Sequence, residues 1–124
     1  MVTRGKVPFG RVDSLVPASD GAGVVEAVGQ NVTRFKAGDK VLTTFFQDHI
    51  AGPLDARSGA LGIGGGLGGA VDGVLREYGA FHEQDLVHMP AHLSFHEGCT
   101  LPCAALAAWN ALFGLEGRKL VKGD

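Results

Sequence analysis

The chain has 124 residues, 45% hydrophobic and 19% charged, with a formal net charge of −2 at pH 7. Those values describe one globular domain with a real core and exclude a disordered segment or a protein built to bind nucleic acid through a basic stripe. No apolar run is long enough to span a bilayer and MVTRGKVPFG has no signal-peptide core, so a cytoplasmic protein with reduced cysteines is expected, without a membrane partner.

Residues 1–15 are polar and turn-like, punctuated by Pro8-Phe9-Gly10 and Asp13-Ser14. Residues 16–46 read as a strand pair. The first strand runs through Gly23-Val24-Val25-Glu26-Ala27-Val28 and closes on the turn signal Gly29-Gln30-Asn31. Phe35 is a lone apolar anchor, and Gly38-Asp39 launches the second strand, Val41 to Phe46. Asn31-Val32-Thr33 matches a glycosylation acceptor, which without export is incidental. Residues 47–71 show little hydrophobic periodicity and hold seven glycines between Gly59 and Gly69, which marks one long loop instead of a glycine-rich protein.

Order returns at Gly73–Phe81, which has strand character, and at Asp85–Met89, a second short strand before Pro90. Ser94 and Glu97 stand as a capping box at the start of a helix. Pro102 either kinks that helix or begins another. PCAALAAWNALF, residues 102–113, is rich in strong helix formers, with Ala105, Leu106, Trp109, Leu112 and Phe113 recurring on one face. Gly114 is a stop of the C′ type. The predicted fold is mainly β with C-terminal helices.

Four groupings could carry chemistry. Residues 64–69, GGGLGG, match G-x-G-x-x-G, but a dinucleotide fingerprint needs a buried strand before it and a helix after it. Neither flanks it, so a flexible loop is the expectation. His92, His96, Cys99 and Cys103 have spacings that could line a helical face for zinc, yet Ser94 leaves His92 outside the helix and Pro102 breaks the register. Cys103 at a helix start is either an activated thiol or a small apolar residue beneath Trp109, and packing is the favoured reading. Asp20, between Ser19 and Gly21, could ligate a metal, cap a turn or orient a substrate, and capping is the commonest use of Asp beside Gly. His82 and His88 flank strands as surface residues.

SDGAGVVEAVGQNVTRFKAGDKV, residues 19–41, resembles the N-terminal domain of the medium-chain dehydrogenase/reductase superfamily, the zinc alcohol dehydrogenases and their quinone-oxidoreductase-like relatives. TLPCAALAAWNALFG resembles the segment linking that domain to the cofactor domain. Phe45-Phe46-Gln47-Asp48 and Gly73-Val74-Leu75-Arg76-Glu77-Tyr78 fall where similar residues stand in a zinc-less subgroup.

The resemblance implies a partial GroES-like β-barrel over residues 1–114. Residues 115–124 would begin the connection to a Rossmann domain absent from the chain, so the chain reads as a fragment that is inactive by itself. It implies NAD(P)H as cofactor of the full-length parent, NADP among the forms expected, and a carbonyl, alcohol or quinone as substrate; a homo-oligomer is admitted. Asp20, Phe45, Phe46 and Trp109 become candidates for the substrate pocket, and Cys103 and Ala107 for the cofactor's neighbourhood.

Three departures qualify it. Ala18-Ser19-Asp20 stand where the zinc enzymes have Gly-His-Glu, whose His binds zinc. Cys103 stands at a zinc-ligand cysteine but without that histidine, and the four-cysteine structural-zinc lobe is replaced by the loop 47–71. The resemblance therefore implies a zinc-free protein. Ala107 replaces a Thr whose hydroxyl in many relatives lies near the nicotinamide. The alternative function is a non-catalytic GroES-like module acting through protein contacts.

Overall fold

The computed structural model describes residues 14–47, 49–50, 66–69, 71–114, 117 and 119–121. Its sheet is three-stranded and antiparallel, in the order β1 (Ala22–Val24), β2 (Lys40–Thr43), β3 (Leu86–His88). Gly23 faces Val41 across the first ladder, and Val41 faces His88 across the second. The central strand is the most buried element: Val41, Leu42 and Thr43 are all covered, as a strand with neighbours on both sides requires. Phe35, Leu67 and Met89 complete the buried apolar set. Phe35 reaches it from the β1–β2 connection, its ring 4.6 Å from that of His88.

Both predicted strands of residues 16–46 are present and shorter than expected. β1 stops at Val24 because the chain turns within 25–39 and leaves the ladder. Val25 is still held by its N–H to Asp39 O at 2.9 Å and by Gly38 N–H to its own carbonyl at 2.8 Å. The turn closes on the Lys36–Asp39 ion pair, 2.6 Å, with the Lys36 N–H on the same carboxylate at 3.0 Å. β2 stops at Thr43 because the next hydrogen bonds leave the β1–β2 register: Thr44 donates its N–H to Asp85 O, and Phe46 bridges to Gly66.

The middle of the chain keeps one expectation, a loop without helix or strand among the described residues of 47–71, and corrects another. Within the 47–71 stretch Gly66 and Leu67 are buried, with the Leu67 N–H donating to Phe45 O at 3.0 Å, while Ile50 and Gly69 are exposed. One buried leucine among the glycines anchors it, a signal that a composition count passes over. The residues of the G-x-G-x-x-G match before Gly66 lie outside the described set. Gly73–Phe81 forms no strand. Gly73, Val74 and Leu75 donate instead to the carbonyls of Val16, Ala18 and Pro17, an irregular pairing without a ladder.

The helical end follows the capping logic. Helix α1 (Phe95–Gly98) opens on Ser94, whose hydroxyl accepts the Glu97 N–H while the Glu97 carboxylate accepts the Ser94 N–H. Pro102 does not kink α1 but sits in the first turn of a separate π-helical segment, Leu101–Ala105, which runs into helix α2 (Leu106–Phe113). A proline at that position removes an N–H that would have had no partner. Gly114 ends α2 as expected, but in right-handed conformation, φ −73°, with its N–H on Asn110 O. The apolar helical face that the periodicity identified is exposed: Leu106 and Trp109 each retain 64% of their surface.

Candidate functional site

The site begins at Thr43, buried at the end of β2. Its hydroxyl donates to Ser19 O and accepts the Gly21 N–H, both at 3.0 Å, and its own N–H bonds Gly21 O at the same distance. A Thr at that position is rigid about χ1, so Ser19–Gly21 is pinned to the central strand. Ser19 then turns its hydroxyl onto Asp20 Oδ2. The other carboxylate oxygen, Oδ1, accepts the Cys103 N–H at 2.7 Å, across 83 residues of sequence.

The partner explains the bond. Cys103 lies in the first turn of the helical segment, where N–H groups have no intrahelical acceptor. Thr100, the local N-cap residue, provides no side-chain cap; its hydroxyl points backward and donates to Glu97 O at 2.7 Å. Asp20 is therefore the remote N-cap of the helical arm, and a carboxylate at that end also suits the helix dipole. Of the three uses weighed for Asp20, the geometry realises capping, with a helix in place of a turn.

The other candidates do not converge on Asp20. Phe45 and Phe46 stack edge to face, centroids 4.8 Å apart at 83°, and brace the Gly66–Leu67 segment. Trp109 lies against Phe113, centroids 4.8 Å apart. Cys103 is exposed, so the reading that packs it beneath Trp109 is overturned. Ala107 is exposed on α2. No hydrogen bond or ring contact among the described residues joins Phe45, Phe46 or Trp109 to Asp20 or Cys103. His92, His96, Cys99 and Cys103 do not gather: among the described residues no three His, Cys, Asp or Glu side chains could hold a metal ion together.

A cleft of about 840 Å³ opens next to this clasp. It is lined by β1 with Gly21 and Thr43, and by Val74, Arg76, Tyr78 and Phe81. Gly21 and Thr43 thus belong both to the clasp and to the cleft. Sequence reasoning placed no role on Thr43, Arg76 or Tyr78. For Thr43 the available signal was a polar residue continuing a buried strand. Arg76 and Tyr78 were hidden by the reading of 73–81 as a strand.

A model of the alcohol dehydrogenase GroES-like domain family matches residues 1–91. Over its whole length the chain is 40% identical to a zinc-type alcohol dehydrogenase-like protein of Schizosaccharomyces pombe, of which it covers 35%. Over 86% of its length it is 39% identical to a chloroplastic quinone-oxidoreductase of Triphysaria versicolor, covering 24% of that protein. Among solved structures it is similar to a Sinorhizobium meliloti 1021 protein described as an alcohol dehydrogenase, with TM-score 0.69 and 43% identity over 85% of the chain and 30% of that structure. The chain spans about a third or less of the curated relatives it matches.

Proposed function

We propose that this chain, which belongs to the alcohol dehydrogenase GroES-like domain family of the medium-chain dehydrogenase/reductases, is the substrate-side part of a zinc-free, NAD(P)H-dependent oxidoreductase. The substrate class is a carbonyl, alcohol or quinone, and the setting is the cytoplasm; among the described residues no helix is long and apolar enough to cross a membrane. One observation carries the reading. The two segments that bear the family resemblance meet, and at their junction the Asp20 carboxylate closes on the Cys103 N–H.

That junction does not suit zinc. Ser19 supplies no imidazole, its hydroxyl is turned onto Asp20, and both Asp20 oxygens already accept hydrogen bonds. The chain's own contribution is then positional. Thr43, Ser19 and Asp20 fix the helical arm against the sheet, and the cleft beside Gly21 offers apolar walls from Val24, Val74 and Phe81 with the polar ends of Arg76 and Tyr78. A bound nicotinamide would supply or accept hydride, the hard chemistry being the cofactor's. Polarisation of a substrate oxygen would rest on a hydrogen-bond donor or water. The residues described here offer no phosphate cradle, since Gly66–Gly69 leads into irregular chain instead of a helix.

The test uses the full-length protein containing this chain, supplied with NADPH or NADH and a quinone or α,β-unsaturated carbonyl. Cofactor oxidation that survives dialysis against EDTA is expected. Absence of turnover with every substrate class, or loss on EDTA restored by zinc, contradicts the reading. By calorimetry the chain alone should show no micromolar binding of NADPH. A second reading, a module acting through protein contacts, is favoured by the exposed face of α2. A monomer by size exclusion with light scattering would count against it.

A further inference from the structure

We infer that Ala18 is a positioning residue, whose left-handed backbone, wedged between Gly68 and Gly73, aims the Asp20 carboxylate at the Cys103 N–H. The inference rests on the reading that Ser19–Asp20 and the helix head at Cys103 form one site.

Ala18 has φ 71°, a region where an alanine Cβ crowds the backbone. Such conformations persist only where the surroundings over-determine them, and they gather at functional sites. Here the surroundings are specific. The Ala18 carbonyl accepts the Val74 N–H at 2.9 Å, while Val16 O and Pro17 O accept from Gly73 at 2.7 Å and Leu75 at 3.1 Å. A Cβ on Gly68 would stand 2.7 Å from the Ala18 nitrogen. A Cβ on Gly73 would overlap the Ala18 carbonyl oxygen and lie 2.5 Å from that of Pro17. Two distant glycines thus clear a slot that the Pro17–Ala18 backbone fills.

The consequence appears one residue later. Ser19 O is held by the Thr43 hydroxyl and the Ser19 hydroxyl by Asp20, which leaves Oδ1 for Cys103. With Ser19 O and Gly21 both fixed to β2, the direction in which the chain enters Ser19 is set at Ala18. An extended Ala18 would turn that entry away and break the alignment of Asp20 with the helix head.

The test is NMR on the full chain. Because the Cys103 N–H is donated to the Asp20 carboxylate, its amide resonance should shift on Asp20→Asn, which removes the charge from the acceptor. Gly73→Ala, which denies Ala18 its slot, should abolish that response and speed Cys103 amide exchange at least tenfold. The Gly98 amide, bonded to Ser94 O at 2.8 Å, should be unaffected. Ala18→Gly, which adopts the same φ freely, should retain both signatures. A folded Gly73→Ala variant with an unchanged Cys103 response overturns the inference, as does loss of the response in Ala18→Gly. If Gly73→Ala does not fold, the parent chain decides: a Cys103 amide indifferent to Asp20→Asn overturns it. None of these readouts uses turnover, so a failed oxidoreductase assay would leave the joint standing.

Discussion

At the scale of residues, Thr43 and Ala18 matter more than the side chains that look reactive. Thr43 is 7% exposed and its hydroxyl serves two backbone partners. Thr43→Val keeps the shape and leaves the Gly21 N–H and Ser19 carbonyl without that partner, which should cost about 1–3 kcal/mol in a urea melt. A change within experimental error would mean that water takes over both bonds. For Ala18→Gly two effects compete. Relief of the left-handed strain favours the variant by roughly 1–2 kcal/mol, and the extra freedom of glycine in the unfolded chain opposes it by about 0.4–1 kcal/mol. A net gain of between zero and about 1.6 kcal/mol is expected, and a clear loss would show that the alanine methyl packs productively. Neither role was legible beforehand. A positive φ leaves no mark on an alanine codon, and a polar residue ending an apolar strand reads as exposure until its partners are known.

At the scale of elements, the caps were the most legible feature, because capping is written in local sequence. Ser94 and Glu97 form the expected reciprocal pair, and Ser94→Ala should destabilise by about 1 kcal/mol. Among the described residues, three carboxylates are held below their ordinary values. Backbone N–H groups of Arg34 and then Thr33 do this for Glu83, and the Ser94 N–H followed by its hydroxyl does it for Glu97. For Asp39 the leading cause is the Lys36 side chain. A depressed folded value means that stability is fully present above the ordinary values of 4.5 for Glu and 3.8 for Asp and drains away as pH falls through the lowered ones. Urea midpoints should therefore decline below about pH 4.5, and less steeply in Glu83→Gln. An identical decline in that variant would remove Glu83 as a source. The irregular pairing of 73–75 with 16–18 was not legible, because its partners lie far away in sequence and share no alternating pattern.

At the scale of the molecule, the helical arm is fastened to the sheet at its head while its apolar face stays uncovered. Leu106, Trp109 and Leu112 are exposed, as are Leu120 and Val121 beyond the helix. Periodicity identified that face correctly but could not tell a face packed within the chain from one awaiting something outside it. Trp109 is the chain's one tryptophan, so its fluorescence reports the arm directly. Emission typical of water-exposed indole and efficient iodide quenching are expected for a monomer, and a blue-shifted, protected tryptophan would contradict the open arm. The family could be recognised because two separated motifs occur in consistent order. That those motifs touch through Asp20 and Cys103 required the fold.

The central claim is that this junction is a hydrogen-bonded cap and no metal site. Equilibrium dialysis of the chain against Zn²⁺, followed by elemental analysis, tests it most directly. Far less than stoichiometric metal should remain, with no change on Cys103→Ser. One tightly held zinc per chain, lost in Cys103→Ser, would contradict the account.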